Sequence, residues 1–143
     1  MINENRLHHI LAVARKAYSL AKAFHYDEVF ARKCFALGWN HDIGYEFDPE
    51  NHAEIGSNIL SSFDDNNAIR FHSIVPEQIT LEWFILALAD MTTSPTGKEV
   101  SLDERLQEIE NRYGTNHIWY KHSLDICNNL KALIKNEGFR HLK

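Results

Sequence analysis

The sequence predicts an all-α protein: a single compact helical bundle of about six to seven helices. Three observations carry this expectation. Apolar residues recur at three-to-four spacing along almost the whole chain, and breaker-rich strings separate such stretches from one another instead of separating alternating strands. The chain of 143 residues is long enough for one core without disulfides or a structural metal. No repeat, linker or low-complexity tract interrupts it, so residues 1–143 are expected to form one domain.

The first helix is expected over about 3–24. One stripe runs Leu7, Leu11, Ala14, Tyr18, Ala21 and a second runs His9, Val13, Ala17, Leu20, Phe24. A helix apolar on two faces reads as central, with His9 pointing inward. The second, about 27–39, carries Phe30, Cys34 and Leu37, and one further turn of that stripe reaches His41. Gly44 and Pro49 place its end and the following loop. Residues 49–63 open with Pro and acidic residues and carry His52, Ile55 or Gly56, Ile59 and Phe63 on one face. A short helical piece over 66–73 ends near Val75 and Pro76.

The next helix, 77–91, puts Ile79, Trp83, Leu86 and Asp90 on one face, which leaves a carboxylate on the buried side of the last turn. A buried carboxylate needs a partner. Residues 92–100, TTSPTGKEV, form a breaker-rich loop in which Thr92, Thr93 and Ser94 either bond a ligand or cap a helix. Ser101 with Glu104 makes a capping box for a helix to about Tyr113. The last helix, 116–137, carries Trp119, His122 or Ser123, Ile126, Leu130 and Leu133, and is expected to stop at Gly138. Trp119 and Tyr120 serve either the core or a homodimer, and periodicity does not choose between them.

Composition narrows the function. A formal charge of -5 without any Lys/Arg stripe argues against a nucleic-acid polymer as partner. Cys34 and Cys127 sit in apolar stretches without CxxC spacing, so buried free thiols in a reducing compartment are expected. No uncharged stretch approaches the roughly 20 residues of a membrane span, and MINENRLHHI does not read as a leader. A cytoplasmic protein without a membrane partner is the expectation.

What remains is a scattered set of ligand-type residues: His9, the neighbours His41 and Asp42, His52, His72 and Asp90. Imidazoles and carboxylates without thiolates suit Mn, Fe, Co, Ni or Zn, with Mg as a further option, in sites that keep open positions. Adjacent residues on a regular helix diverge by about a quarter turn, so His41 and Asp42 need a helix terminus to reach one ion. The break at Gly44 supplies one. His8 competes with His9 for the ligand role, and the stripe favours His9. His25, His117, His122 and His141 have no partner spacing and read as surface or packing residues. Arg70 near His72 and Lys98 after Asp90 are the candidate substrate-binding side chains, suited by charge to an anion.

Arg6 and His9 followed by Val13 and Ala14, then His41-Asp42-Ile43-Gly44, His52 with Gly56, His72, and Ala89-Asp90 resemble the HD-domain superfamily of metal-dependent phosphohydrolases. The resemblance covers roughly Arg6 to Tyr113. It implies an all-α fold in which His9, His41, Asp42 and Asp90 hold a divalent ion, and a second ion on Asp42, His52 and His72. Tyr45 stands where relatives commonly carry Lys, and Phe71 where they often have His. The implied activity is hydrolysis of a phosphate monoester or diester of a nucleotide or other small phosphorylated metabolite by a metal-activated water, with Asp42 as the catalytic residue. Two other classes compete: a non-catalytic sensor of a phosphorylated metabolite, and a di-iron oxygenase of HD type.

Overall fold

A computed structural model describes residues 4–42 and 73–143. Five α-helices lie among them: α1 (Glu4–Ala23), α2 (Glu28–Asn40), α3 (Leu81–Met91), α4 (Leu102–Tyr113) and α5 (Ile118–Lys135), followed by a 3₁₀ turn, Gly138–His141. No strand occurs among the described residues, only an isolated bridge between Thr93 and Glu99. The chain is all-α, as its periodicity predicts. The segments expected to be helical at 49–63 and 66–73, except Ser73, lie outside the described residues, as do Gly44, Pro49 and Gly56.

The central helix is α3, not α1. Nine of the eleven residues of α3 are buried, against six of twenty in α1. The cause lies in the string WFILALA, which has no polar face to offer water and therefore must be surrounded. Accordingly α3 packs on α1, α2 and α5, while α4 packs on α5. On α1 the inward residues are His9, Ile10, Val13, Ala14, Ala17 and Ala21. Leu7, expected to begin a buried stripe, is 48% exposed. Arg6 turns inward at that level instead.

Local chemistry sets the helix ends. Asp27 caps α2 by accepting the Phe30 N–H at 2.8 Å, and Ser101 with Glu104 closes the expected capping box on α4. Helix α3 starts four residues later than its apolar pattern suggests. There Thr80 accepts the Trp83 N–H at 3.1 Å, and the Lys143 carbonyl accepts the Leu81 N–H at 3.0 Å. Ile79 therefore reaches the core from outside the helix. At the end of α5, Glu137 takes the left-handed conformation (φ 50°) expected of Gly138, and the glycine opens the 3₁₀ turn. That turn inserts Phe139 beside Phe84, with rings stacked 5.1 Å apart, which ties the end of the chain to α3.

Candidate metal centre

Three helices deliver one polar cluster into this apolar surround. His9 comes from the second turn of α1, His41 is the C-cap of α2 with Asp42 directly after it, and Asp90 sits in the last turn of α3. The termination of α2 allows two sequence neighbours to turn the same way. His9, His41 and Asp42 are buried and present ligand atoms that all lie within 4.8 Å of one another. Asp90 joins them, with Oδ1 2.9 Å from His9 Nε2 and 3.5 Å from His41 Nε2. Asp42 Oδ2 lies 3.1 Å from His41 Nε2 and 3.9 Å from His9 Nε2. Nitrogen and oxygen thus alternate around a small ring.

Both imidazoles are held in one orientation. His9 Nδ1 donates to the Ser94 carbonyl at 2.8 Å and His41 Nδ1 donates to the Gly38 carbonyl at 2.6 Å. A carbonyl only accepts, so each Nδ1 carries the proton and each Nε2 is the nitrogen turned toward the cluster, available to an ion. Bonds of about 2.0–2.2 Å place neighbouring ligands about 3.0–3.5 Å apart in octahedral or tetrahedral coordination. The edges of the ring bracket that separation. These four side chains fit a divalent first-row ion, and their lack of thiolate favours a site with open positions.

The side chains of the cluster balance charge among themselves. Burial alone pushes the His41 pKa down, but the Asp42 and Asp90 carboxylates outweigh it and hold the imidazole well above its ordinary 6.5. For Asp90, burial pushes upward, and His41 and then His9 overcome it, leaving the carboxyl well below 3.8. Arg6 adds a further cation, with Nη1 donating to Asp42 Oδ2 at 2.9 Å.

The family model for the HD domain matches residues 6–94, well over half of the chain. The chain belongs to the HD domain family. The HD domain implies a family of metal-dependent phosphohydrolases that bind divalent metals, and the matched span contains His9, His41, Asp42 and Asp90. No curated protein and no solved structure matches the chain. Among the described residues of this HD domain, no helix is long and apolar enough to cross a membrane.

The remaining sequence candidates divide. His52, His72 and Arg70 lie outside the described residues, as do Tyr45 and Phe71. Lys98 is exposed in the loop after Asp90, where its backbone N–H and carbonyl engage Ser94. His8 is exposed and lies 3.9 Å from Glu4, so His9 alone of that pair faces the cluster. His117 caps α5 by accepting the Trp119 N–H. Thr92 and Thr93 donate to the Leu88 and Ala89 carbonyls, and the Ser94 hydroxyl accepts loop N–H groups, so all three act on their own backbone.

Two contributors were not singled out from the sequence. Arg6 entered only as part of a motif, although its place three residues before His9 put it on the same face of α1. The Ser94 carbonyl carries no side-chain signature. It is placed by a loop in which Gly97 (φ +89°) passes so close to the His8 carbonyl that a Cβ there would lie 2.7 Å from the oxygen.

Proposed function

We propose that this HD domain is a phosphohydrolase that splits a phosphate monoester or diester of a small metabolite, a nucleotide being the favoured class. The single observation that carries the reading is the convergence of His9, His41, Asp42 and Asp90 from three helices, with both imidazoles locked Nε2-inward. A divalent ion held by these four supplies an acidified water and an electrophile for a phosphoryl oxygen.

The chain's own residues prepare that chemistry. The Ser94 and Gly38 carbonyls fix the two imidazoles, so the ligand set needs little reorganisation on loading. Asp42 and Asp90 contribute two negative charges that match a divalent ion, and the apolar walls from α3 keep those charges effective. Asp42 is the catalytic residue in this proposal, because imidazoles and a guanidinium all meet at its Oδ2. In the reaction, water adds to phosphorus, the ester P–O bond breaks, and the leaving oxygen departs as an alcohol with a proton derived from that water. A second ion on Asp42, His52 and His72 belongs to the same proposal.

The test uses metal-stripped protein given Mn, Co, Ni, Fe, Zn or Mg in turn, with nucleotides, sugar phosphates and an aryl phosphodiester as substrates. Metal-dependent phosphate release or diester cleavage is expected, with one or two ions bound per chain. Asp42→Ala is expected to lose metal retention and turnover together, and full turnover in that variant sinks the proposal. Stoichiometric metal with a silent panel overturns hydrolysis in favour of a sensor, and oxygen-dependent product formation with iron alone overturns it in favour of an oxygenase.

A further inference from the structure

Two turns beyond His9, on the same face of α1, stands Lys16. Its side chain is only 19% exposed, and its ammonium donates to the Thr92 carbonyl at 2.8 Å and meets Glu99 at 3.0 Å. Glu99 is 84% exposed, so that ion pair contributes little. The carbonyl bond is the specific one. Thr92 is the C-cap of α3, two residues past Asp90, and α3 has no basic residue in its last turn. The negative end of α3 also carries the Asp90 carboxylate, and Lys16 supplies from another helix the cation that this end lacks.

The residues after α3 fold back on themselves through the bridge between Thr93 and Glu99. Two carbonyls of this hairpin serve the hairpin and α1 at once. The Thr92 carbonyl accepts the Val100 N–H at 3.0 Å as well as Lys16, and the Ser94 carbonyl accepts the Gly97 N–H at 3.0 Å as well as His9 Nδ1 at 2.8 Å. A carbonyl oxygen has two lone pairs, so both oxygens are fully used. Helix α1 thus grips one braced arm at two points, of which only His9 belongs to the cluster. Gly97 removes the slack between them, because a Cβ there would lie 2.7 Å from the His8 carbonyl oxygen.

We infer that Lys16 is a positioning residue of this site: by holding the Thr92 carbonyl to α1 it sets the Ser94 carbonyl, and through that oxygen the His9 ring, without itself bonding a side chain of the cluster. The inference deepens the phosphohydrolase reading and rests on it for the importance of the His9 ring to a reaction. The orientation of the ring does not depend on that reading.

The experiment records proton–nitrogen spectra of the imidazoles in metal-stripped protein, follows exchange of the His9 Nδ1 proton with water, and separately titrates Mn into each variant. Wild type is expected to show a protected Nδ1 proton. Lys16→Met places an unbranched apolar stem in the groove that Leu20, Leu88 and Val100 line beside Lys16. It is expected to lose the protection and to bind Mn about tenfold more weakly, the scale at which loss of a histidine's orienting partner is felt. Lys16→Arg, which keeps the charge and the donor, should recover both, and Glu99→Gln should change neither. Gly114→Ala, at the far end of α4, controls for destabilisation alone and should keep the protected proton. Lys16→Gln, shorter and uncharged, carries the same comparison if the methionine variant does not fold. Four results overturn the inference: an unprotected proton in wild type, equal protection in Lys16→Met, equal loss in Gly114→Ala or Glu99→Gln, or no recovery in Lys16→Arg. The hydrolase reading is tested apart from this. If the ring proton responds as expected while wild type cleaves no phosphate ester, the positioning role stands and the hydrolase reading falls; if wild type turns over while the ring proton is indifferent to Lys16, the reverse holds.

Discussion

At the scale of single residues, the proposed site sets a proton against a metal ion at His41. The imidazole lies 3.1 Å from Asp42 and 3.5 Å from Asp90. Its pKa is raised, so its contribution to stability is complete below the unfolded value of 6.5 and fades as pH rises through the folded one. Asp90, whose pKa is lowered, contributes above its unfolded value of 3.8 and loses that contribution only as pH falls through the folded one. The metal-free cluster is therefore most stabilising between about 4 and 6.5, the span flanked by those two ordinary values. An ion needs the neutral imidazole, so metal affinity is expected to fall about tenfold per unit of decreasing pH while His41 stays protonated. Thermal melting with a fixed Mn concentration checks this: the rise in melting temperature should be larger at pH 8 than at pH 6. A rise of equal size at both values would remove His41 from the ligand set. The convergence of His9, His41, Asp42 and Asp90 was legible because a His or Asp on a helix stripe stands out against apolar neighbours. Arg6 was not, because an Arg near a chain terminus looks like any solvated charge until Asp42 is seen beside it.

At the scale of elements, the site depends on how closely α1 and α2 cross. Gly38 lets them touch backbone to backbone: a Cβ there would lie 2.6 Å from Ala14 Cα and 2.9 Å from Ala14 N, atoms that cannot swing aside. Gly38→Ala should force the helices apart and cost about 3 kcal/mol, since the strain exceeds the roughly 1 kcal/mol that alanine gains as a helix former. His9 and His41 ride on those two helices, so Mn affinity should fall by at least tenfold as well. Gly114 provides the comparison. Its φ of +83° also disfavours a side chain, at a cost of about 1–3 kcal/mol, but a Cβ there meets open space far from any ligand. Gly114→Ala should lose stability in a urea melt yet bind Mn normally. Equal Mn affinity in both variants would refute the dependence on helix approach. The sequence disclosed the helices better than their neighbours: the apolar period marked α1 to α5, whereas the ends of α3 and α5 were misplaced. Those ends depend on the Lys143 carbonyl and on Phe139 packing, contacts that join distant parts of the chain and leave no periodic trace. The same holds for the centrality of α3, which follows from what surrounds it.

At the scale of the molecule, the question is whether metal binding at the proposed site stabilises the whole core or only the three helices that bring the site together. Two buried thiols report on this from different places. Burial, its largest influence, pushes Cys34 on α2 up to about 12, and likewise Cys127 on α5 up to about 11. Folded protein at pH 8 therefore holds almost no thiolate at either position, and alkylation must proceed through opening. Cys34 lies on a helix that leads into the proposed site, whereas Cys127 on α5 packs against the start of α4, its Sγ 4.0 Å from the Leu102 carbonyl. One continuous apolar cluster joins them through α3, and Phe139 with the Lys143 carbonyl binds the chain end to the same helix. Opening is thus expected to be a single event. With free Mn at a hundredfold its dissociation constant, labelling of both thiols by iodoacetamide should slow by about a hundredfold, the factor by which the bound ion depletes the open state. Slowing at Cys34 alone would mean that α4 and α5 open independently, and that the chain consists of a metal-clamped unit with a separable helical pair attached. Equal slowing would mean that an ion held by four side chains governs the stability of residues that never touch it, because α3 cannot lose its neighbours on one side without exposing its apolar surface on the other.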